Sequence, residues 1–196
     1  MNPTRAEMMQ ATRSKLIGAA RKAFAEKGFA DTSMDDLTAA VGLTRGALYH
    51  NFGDKKGLLA AVVDQIDAEM AARALDEAER QGGSLWDMLI AEGTAYIEAA
   101  LEPEVQRIVL LDGPAVLGDP SRWPSQNACL DATRRSLETL AGEGAIKPVD
   151  IEAAARLLNG AALNAALWVA ASEHPAEVLK SAIETFKQLA SGLLAE

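Results

Sequence analysis

Apolar residues recur along this chain at the spacing of α-helices and seldom alternate as strand residues do. Between Thr12 and Lys27 they fall at Leu16, Ile17, Ala20, Ala23 and Phe24, on one helical face. The pattern ends this helix at Gly28, with Phe29 just beyond it able to fold back on Phe24. A second helix of about two turns is expected in "TSMDDLTAAVG". Ser33 would be its N-cap with Asp36 three residues on, Leu37, Ala40 and Val41 would face inward, and Gly42 would end it. Thr44 then caps a third short helix through Asn51, with Leu48 and Phe52 on its inner side and Gly53 as its stop. Two short helices across a tight turn containing glycine form a helix-turn-helix pattern.

Asp54 opens a longer helix, expected to run to about Arg80, with Leu58, Leu59, Val62, Val63, Ile66 and Met70 on its apolar stripe. At 1.5 Å per residue it spans on the order of 40 Å, enough to join two domains. Gly82 and Gly83 interrupt it, and Ser84 caps a helix running through Tyr96 to Leu101, before Pro103. A short helix to about Leu111 is followed by "DGPAVLGDPSRWP", residues 112–124, whose glycines and prolines predict a long loop. Helices resume near Gln126 and stop by Gly142. After the connector "GEGAIKP", two long amphipathic helices occupy about 150–173 and 175–194, Pro175 suiting a first helical position. The fold class is therefore all-α: a three-helix unit over residues 1–53, with 1–10 flexible, and a helical unit over 54–196, joined by the helix from about 54 to 80.

Composition agrees. A chain of 196 residues can bury a sizeable core, and 49% hydrophobic with 24% charged residues is ordinary for a soluble globular protein. The longest apolar run, Ala165 to Ala171, is far short of a membrane span, so no membrane partner is expected. The N-terminus "MNPTRAEMMQ" lacks the apolar region of a secretory signal. The single cysteine, Cys129, excludes an internal disulfide and fits a cytoplasmic protein. His50 and His174 are too far apart in sequence for a local metal site, and no metal or cofactor is expected.

The net charge of −9 argues at first against nucleic acid. Its distribution argues the other way. Residues 1–57 hold nine Lys/Arg and six Asp/Glu, and the remainder holds 10 and 22. Such asymmetry suggests two jobs, although an unevenly charged solvated surface would look the same.

The stretch "TRGALYHNFGDKKGLL" sharpens the question. Lys55 and Lys56 stand at the start of a helix, where the dipole disfavours cations unless an anion is near. Free N–H groups at a helix start form an anion site, and a lysine there suits a phosphate. The short helix upstream would expose Arg45, Tyr49 and His50. A solvated surface helix accounts for this less fully than a DNA-reading helix beside a phosphate clamp.

Residues 12–59 resemble the DNA-binding domain of the TetR family of transcriptional regulators. The resemblance is carried by the Phe24–Gly28–Phe29 helix end, by "TSMDDLTAAVGLTRGALYHNF" and by "DKKGLL". It implies that Arg45–Asn51 is a recognition helix for the major groove of a double-stranded operator. Thr44, Arg45, Gly46 and Tyr49 would meet bases or nearby backbone, His50 and Asn51 would lie near phosphates, and Lys55 would hold a phosphate. Ser33 would cap the second helix and touch phosphate too. Asn51 stands where family members often have histidine. Gly46 departs from good helix formers, at a cost of roughly 1 kcal/mol in a helix interior. It either permits close approach to DNA or sits in a first turn that tolerates it.

The remainder resembles the family's ligand-binding and dimerisation domain, which implies a homodimer and a small-molecule effector. Candidates to line a pocket are Trp86, Tyr96, Ile97, Leu111, Trp123, Asn164 and Trp168; the aromatics among them could equally be core. Small residues in "LLNGAALNAALWVAA" permit close helix approach, and the last two helices supply the expected dimer surface: Leu157, Gly160, Ala161, Ile183, Phe186 and Leu189. The function implied is a repressor released from a palindromic operator by a largely apolar molecule. The alternatives are a DNA-binding protein without an effector and a helical-bundle enzyme. The second lacks support, since no GxSxG, P-loop, HExxH or paired Glu-x-x-His motif is present.

Overall fold

The computed structural model describes residues 4–195, and its elements are helical apart from one isolated antiparallel bridge between Ile146 and Leu194. Helix α1 covers Arg5–Asp31 and starts earlier than the apolar pattern suggests. Thr4 makes the difference. Its hydroxyl accepts from the Glu7 amide at 3.2 Å, while the Glu7 carboxylate accepts from the Thr4 amide at 2.6 Å. This capping box satisfies two end groups and holds the Glu7 carboxyl below its usual range. Of the stretch expected to be flexible, residues 1–3 lie outside the described residues, and the rest is helical from Arg5 onward.

The helix is interrupted at Gly28, where φ is 81° and ψ 168°. The Phe24 and Phe29 rings meet across the break, 5.7 Å between centroids. Helices α2 (Met34–Ala40) and α3 (Arg45–Phe52) follow, capped by Ser33 and Thr44. Helix α4 (Lys55–Gln81) is capped by Asp54, whose Oδ1 accepts from the Gly57 amide at 2.7 Å. Gly57 permits a tight corner: a Cβ there would collide with the Phe52 carbonyl oxygen.

Helix α5 (Leu85–Glu98) packs along α4. The expected loop over 112–124 is instead mostly helical. Val105–Asp112 forms a π-helical turn, α6 covers Gly113–Leu117, and Pro120–Arg122 makes a 3-10 turn. The prolines here occupy first turns, where a missing N–H costs nothing, so they start helices rather than break them. The buried Val105, Ile108, Val109 and Leu110 anchor the segment. Helices α7 (Pro124–Gly142), α8 (Ile151–Ala171) and α9 (Pro175–Ser191) complete the bundle, with α8 packed on α5, α7 and α9.

One apolar core runs through both units. Leu16, Phe24, Leu37 and Leu48 join Leu58, Leu59 and Val62 of α4, and continue to Ile97, Ile108 and Val169. Polar contacts reinforce this junction. Arg21 of α1 grips Glu104 at 2.7 Å and Glu69 at 2.7 Å. Asp112 accepts from the Phe29 amide at 2.8 Å, and Arg107 donates to the Lys27 carbonyl at 3.3 Å. Gly28 lies beneath that guanidinium, and a Cβ there would collide with it.

Candidate nucleic-acid interface and ligand cavity

Helices α2 and α3 are fixed from within by Leu37 and Leu48, which are 2% and 0% exposed. Their caps are satisfied locally: Ser33 Oγ accepts from the Asp35 amide at 3.2 Å, and Thr44 Oγ1 from the Ala47 amide at 3.2 Å. With its inner side pinned, α3 turns Arg45, Gly46, Tyr49 and His50 to solvent, Tyr49 being 50% exposed. Beyond the adjoining backbone of its own helix, the nearest atom to the Cβ position of Gly46 is Thr44 Oγ1 at 3.7 Å, so the surroundings leave room for a side chain there.

Besides the caps Ser33 and Thr44, three more of the charged or polar candidates already have partners. Arg45 pairs with Asp35 of α2, donating at 2.7 Å from Nη2, which ties the two helices together on their exposed side. Asn51 turns its amide back on its own helix, donating to the Ala47 carbonyl at 2.8 Å, while its main-chain carbonyl accepts from Arg13 at 3.2 Å. Lys55 lies over the Phe29 ring, 4.4 Å from the centroid, and donates to the Ala30 carbonyl at 3.3 Å. The ring face and that carbonyl supply the negative potential a cation needs at a helix start. Lys56 stays exposed.

The larger unit contains a partly open cavity of about 450 Å³ between α4, α5, α7, α8 and α9. Its walls are largely apolar: Met70, Ala74 and Leu75 of α4, Leu89 and Ile90 of α5, Leu158 of α8 and Phe186 of α9. Its polar groups are in part tied to one another. Asp67 accepts from the Ser125 hydroxyl at 2.6 Å, and Gln126 donates to the Tyr96 hydroxyl at 3.3 Å. Thr133 of α7 donates to Asn159 of α8 at 2.8 Å. Burial raises the Asp67 and Glu92 carboxyls, the Cys129 thiol and the Tyr96 phenol above their usual ranges.

Comparison with known proteins adds the lineage. Residues 16–62 match the family profile described as "Bacterial regulatory proteins, tetR family", and residues 86–193 match "Tetracyclin repressor-like, C-terminal domain". The chain belongs to the TetR family. Its members are transcriptional regulators rather than enzymes. A TetR-family transcriptional regulator from Pectobacterium atrosepticum shares 48% identity over 99% of both chains, with a TM-score of 0.87. The HTH-type transcriptional regulator TtgR of Pseudomonas putida is 40% identical over 60 residues, which span 31% of this chain and 29% of TtgR. The HTH-type transcriptional repressor Rv1474c of Mycobacterium tuberculosis is 36% identical over 85 residues, 42% of this chain and 43% of that protein. The chain thus aligns with less than half the length of these curated relatives.

Within this TetR-family bundle, the residues nominated for a pocket scatter. Tyr96 lines the cavity. Ile97 and Trp123 are core instead, 0% and 7% exposed, since helical spacing marks an inner face without telling packed from hollow. Trp86 packs on a second apolar cluster around Leu137 and Leu140. Leu111 is 42% exposed, Asn164 is exposed, and Trp168 is 55% exposed on the outside of α8. Among the nominated dimer residues, Leu157 and Leu189 are 73% and 69% exposed and Gly160 is exposed, with Ala161 and Ile183 half-buried. Phe186 is a correction. It is 5% exposed and points inward against Gly93, so it belongs to the cavity wall and not to an outer surface. The acidic groups Asp64, Asp67 and Glu92 were not nominated. For Asp64 and Asp67 the signal available was acidic residues within the apolar stretch "LLAAVVDQIDAEM".

Proposed function

We propose that this TetR-family chain is a homodimeric repressor that binds a pseudo-palindromic operator and leaves it when a small molecule fills the 450 Å³ cavity. The observation that carries the reading is that one helix serves both ends. Leu58, Leu59 and Val62 of α4 back the helix-turn-helix, and one turn further on Asp67, Met70 and Ala74 form the cavity wall. A ligand that shifts α4 therefore shifts the reading helices. The Arg21, Arg107 and Asp112 contacts couple α1 to the same body. To move the population from 1:99 to 99:1 the ligand must favour the released state about 10⁴-fold. By linkage, operator DNA must weaken ligand binding by the same factor.

Dimerisation is supported by α8, which leaves Leu157, Gly160, Asn164 and Trp168 exposed at spacings that share one face, beside Leu189 of α9. A two-fold axis makes such a face self-complementary. Selection from a random duplex pool tests the whole reading. It should return pseudo-palindromes with half-sites about one helical turn apart or slightly more. Light scattering should give a dimer. A monomer that binds such duplexes at full strength would overturn it.

A further inference from the structure

The inference rests on the cavity as the effector site: we propose that the effector is an organic cation, a protonated amine on an apolar body. Three carboxylates line the cavity, the exposed Asp64, the buried Asp67 and the half-buried Glu92, and among the described residues no lysine, arginine or histidine does. Asp67 is the pivotal one. It is 5% exposed, and although Ser125 serves Oδ2 at 2.6 Å, Oδ1 is closed from solvent and without a partner. An unpaired carboxylate in such a place costs stability and is kept only where something offsets it.

Within the chain Asp67 is met by neutral groups, the Ser125 hydroxyl and the Gln126 amide, and not by a cation. Asp64, one turn earlier on α4, adds a like charge rather than an opposite one, and is itself answered in part by Arg13. Glu92 faces the cavity from α5, half-buried. The neutral groups around Asp67, Gln126 and Tyr96, can orient a ligand but cannot neutralise it. A cation in the cavity does so, and Coulomb attraction across a poorly solvated space acts over several ångströms without direct contact. A carboxylate ligand would add repulsion, and a neutral one would leave the charge as it stands. A metal ion is disfavoured too: no group of three or more metal-ligating side chains among the described residues has the arrangement to hold one. The volume and the apolar remainder of the wall suit an amine of drug-like size.

The test uses three probes of one length, decylammonium, 1-decanol and decanoate, titrated calorimetrically into the full chain at pH 7, below their aggregation concentrations. Decylammonium should bind at least about tenfold more tightly than 1-decanol, with decanoate weakest. Asp67→Asn and Glu92→Gln should each shrink the preference for the amine several-fold. Circular dichroism confirms the fold of each variant, and the more exposed Glu92→Gln serves if Asp67→Asn misfolds. The inference is overturned if 1-decanol or decanoate matches decylammonium, if none of the three binds, or if both folded variants keep the full preference. Binding of selected duplexes, measured on the same preparation without probe, is read separately. Its absence strikes the repressor reading, whereas loss of amine preference strikes the charge assignment alone.

Discussion

On α3 and at the N-terminal end of α4, charged side chains stand near water and find partners: Arg45 has Asp35, and Lys55 has a ring face and a carbonyl. In the middle of the same helix the situation reverses, and Asp67 is buried with one oxygen unmatched. The reading end is a polar surface resting on a filled apolar core, so its chemistry and its stability are carried by different residues. The cavity end has neither a filled core nor matched charges, so there the same residues carry both. Ligand and stability should accordingly be coupled at the cavity and largely separable at the DNA-facing surface.

The sharpest way to break this contrast is at neighbouring positions on α3. Leu48 is wholly buried, and Leu48→Ala should cost on the order of 3 kcal/mol in chemical denaturation. Tyr49 is half exposed, and Tyr49→Ala should change stability by no more than about 0.5 kcal/mol. Yet Tyr49→Ala should abolish preference for a selected operator while sparing much of the binding to random DNA. If Tyr49→Ala instead weakens both DNAs equally, its base-facing role is wrong and the separation fails with it.

The same contrast explains what could be read in advance. The reading end was legible because its devices are local. Ser33 and Thr44 cap, Gly53 stops, and Leu37 and Leu48 point inward, all within a few residues of the groups they position. The engagement of Lys55 was not legible, since Phe29 and Ala30 reach it only after the chain breaks at Gly28. The cavity depends on five helices distant in sequence, and aromatic residues were poor guides to it: Trp123 fills core while Trp168 faces out. The better guide was the misplaced charge of Asp67. Prolines 114, 120 and 124 misled because they look like loop punctuation and in fact occupy helix starts.

A next smaller effect should come from the outer face of α8. Leu157→Glu with Trp168→Glu places charge on two large exposed apolar groups, 73% and 55% open in one protomer. Neither belongs to an apolar core cluster of the protomer, so circular dichroism should be little changed. Light scattering should show monomers, and operator affinity should fall by about two orders of magnitude as the second half-site is lost. A variant that remains dimeric would move the interface elsewhere.

Lys55→Ala probes the DNA-facing surface more gently. Loss of the ring contact should cost about 0.5–1 kcal/mol of stability. If the lysine swings to a phosphate in the complex, binding should weaken on every sequence and the salt slope should drop by about one. An unchanged slope would leave Lys55 as a strut for α1 and pass the phosphate role to the exposed Lys56.

The smallest effect should appear at Asp67, and only as a function of pH. Burial raises its carboxyl above the unfolded value, Asp64 pushes the same way, and the Ser125 hydroxyl bond and the nearby Gln126 amide oppose both without cancelling them. A raised carboxyl contributes its full stability below the unfolded pKa, near 4, and loses it as pH rises through the folded value. Wild-type protein should therefore fall behind Asp67→Asn as pH is raised from about 4 to 7, by on the order of a few degrees in Tm. Asp64 and Glu92 shift in the same direction but are present in both proteins, so the difference isolates Asp67; Tyr96 and Cys129 are pushed upward, away from this window. Differential scanning calorimetry at several pH values measures it. A difference that stays flat, or that grows in favour of the wild type, would mean that the folded protein already compensates this charge, and the cavity would then have no electrostatic reason to prefer a cation.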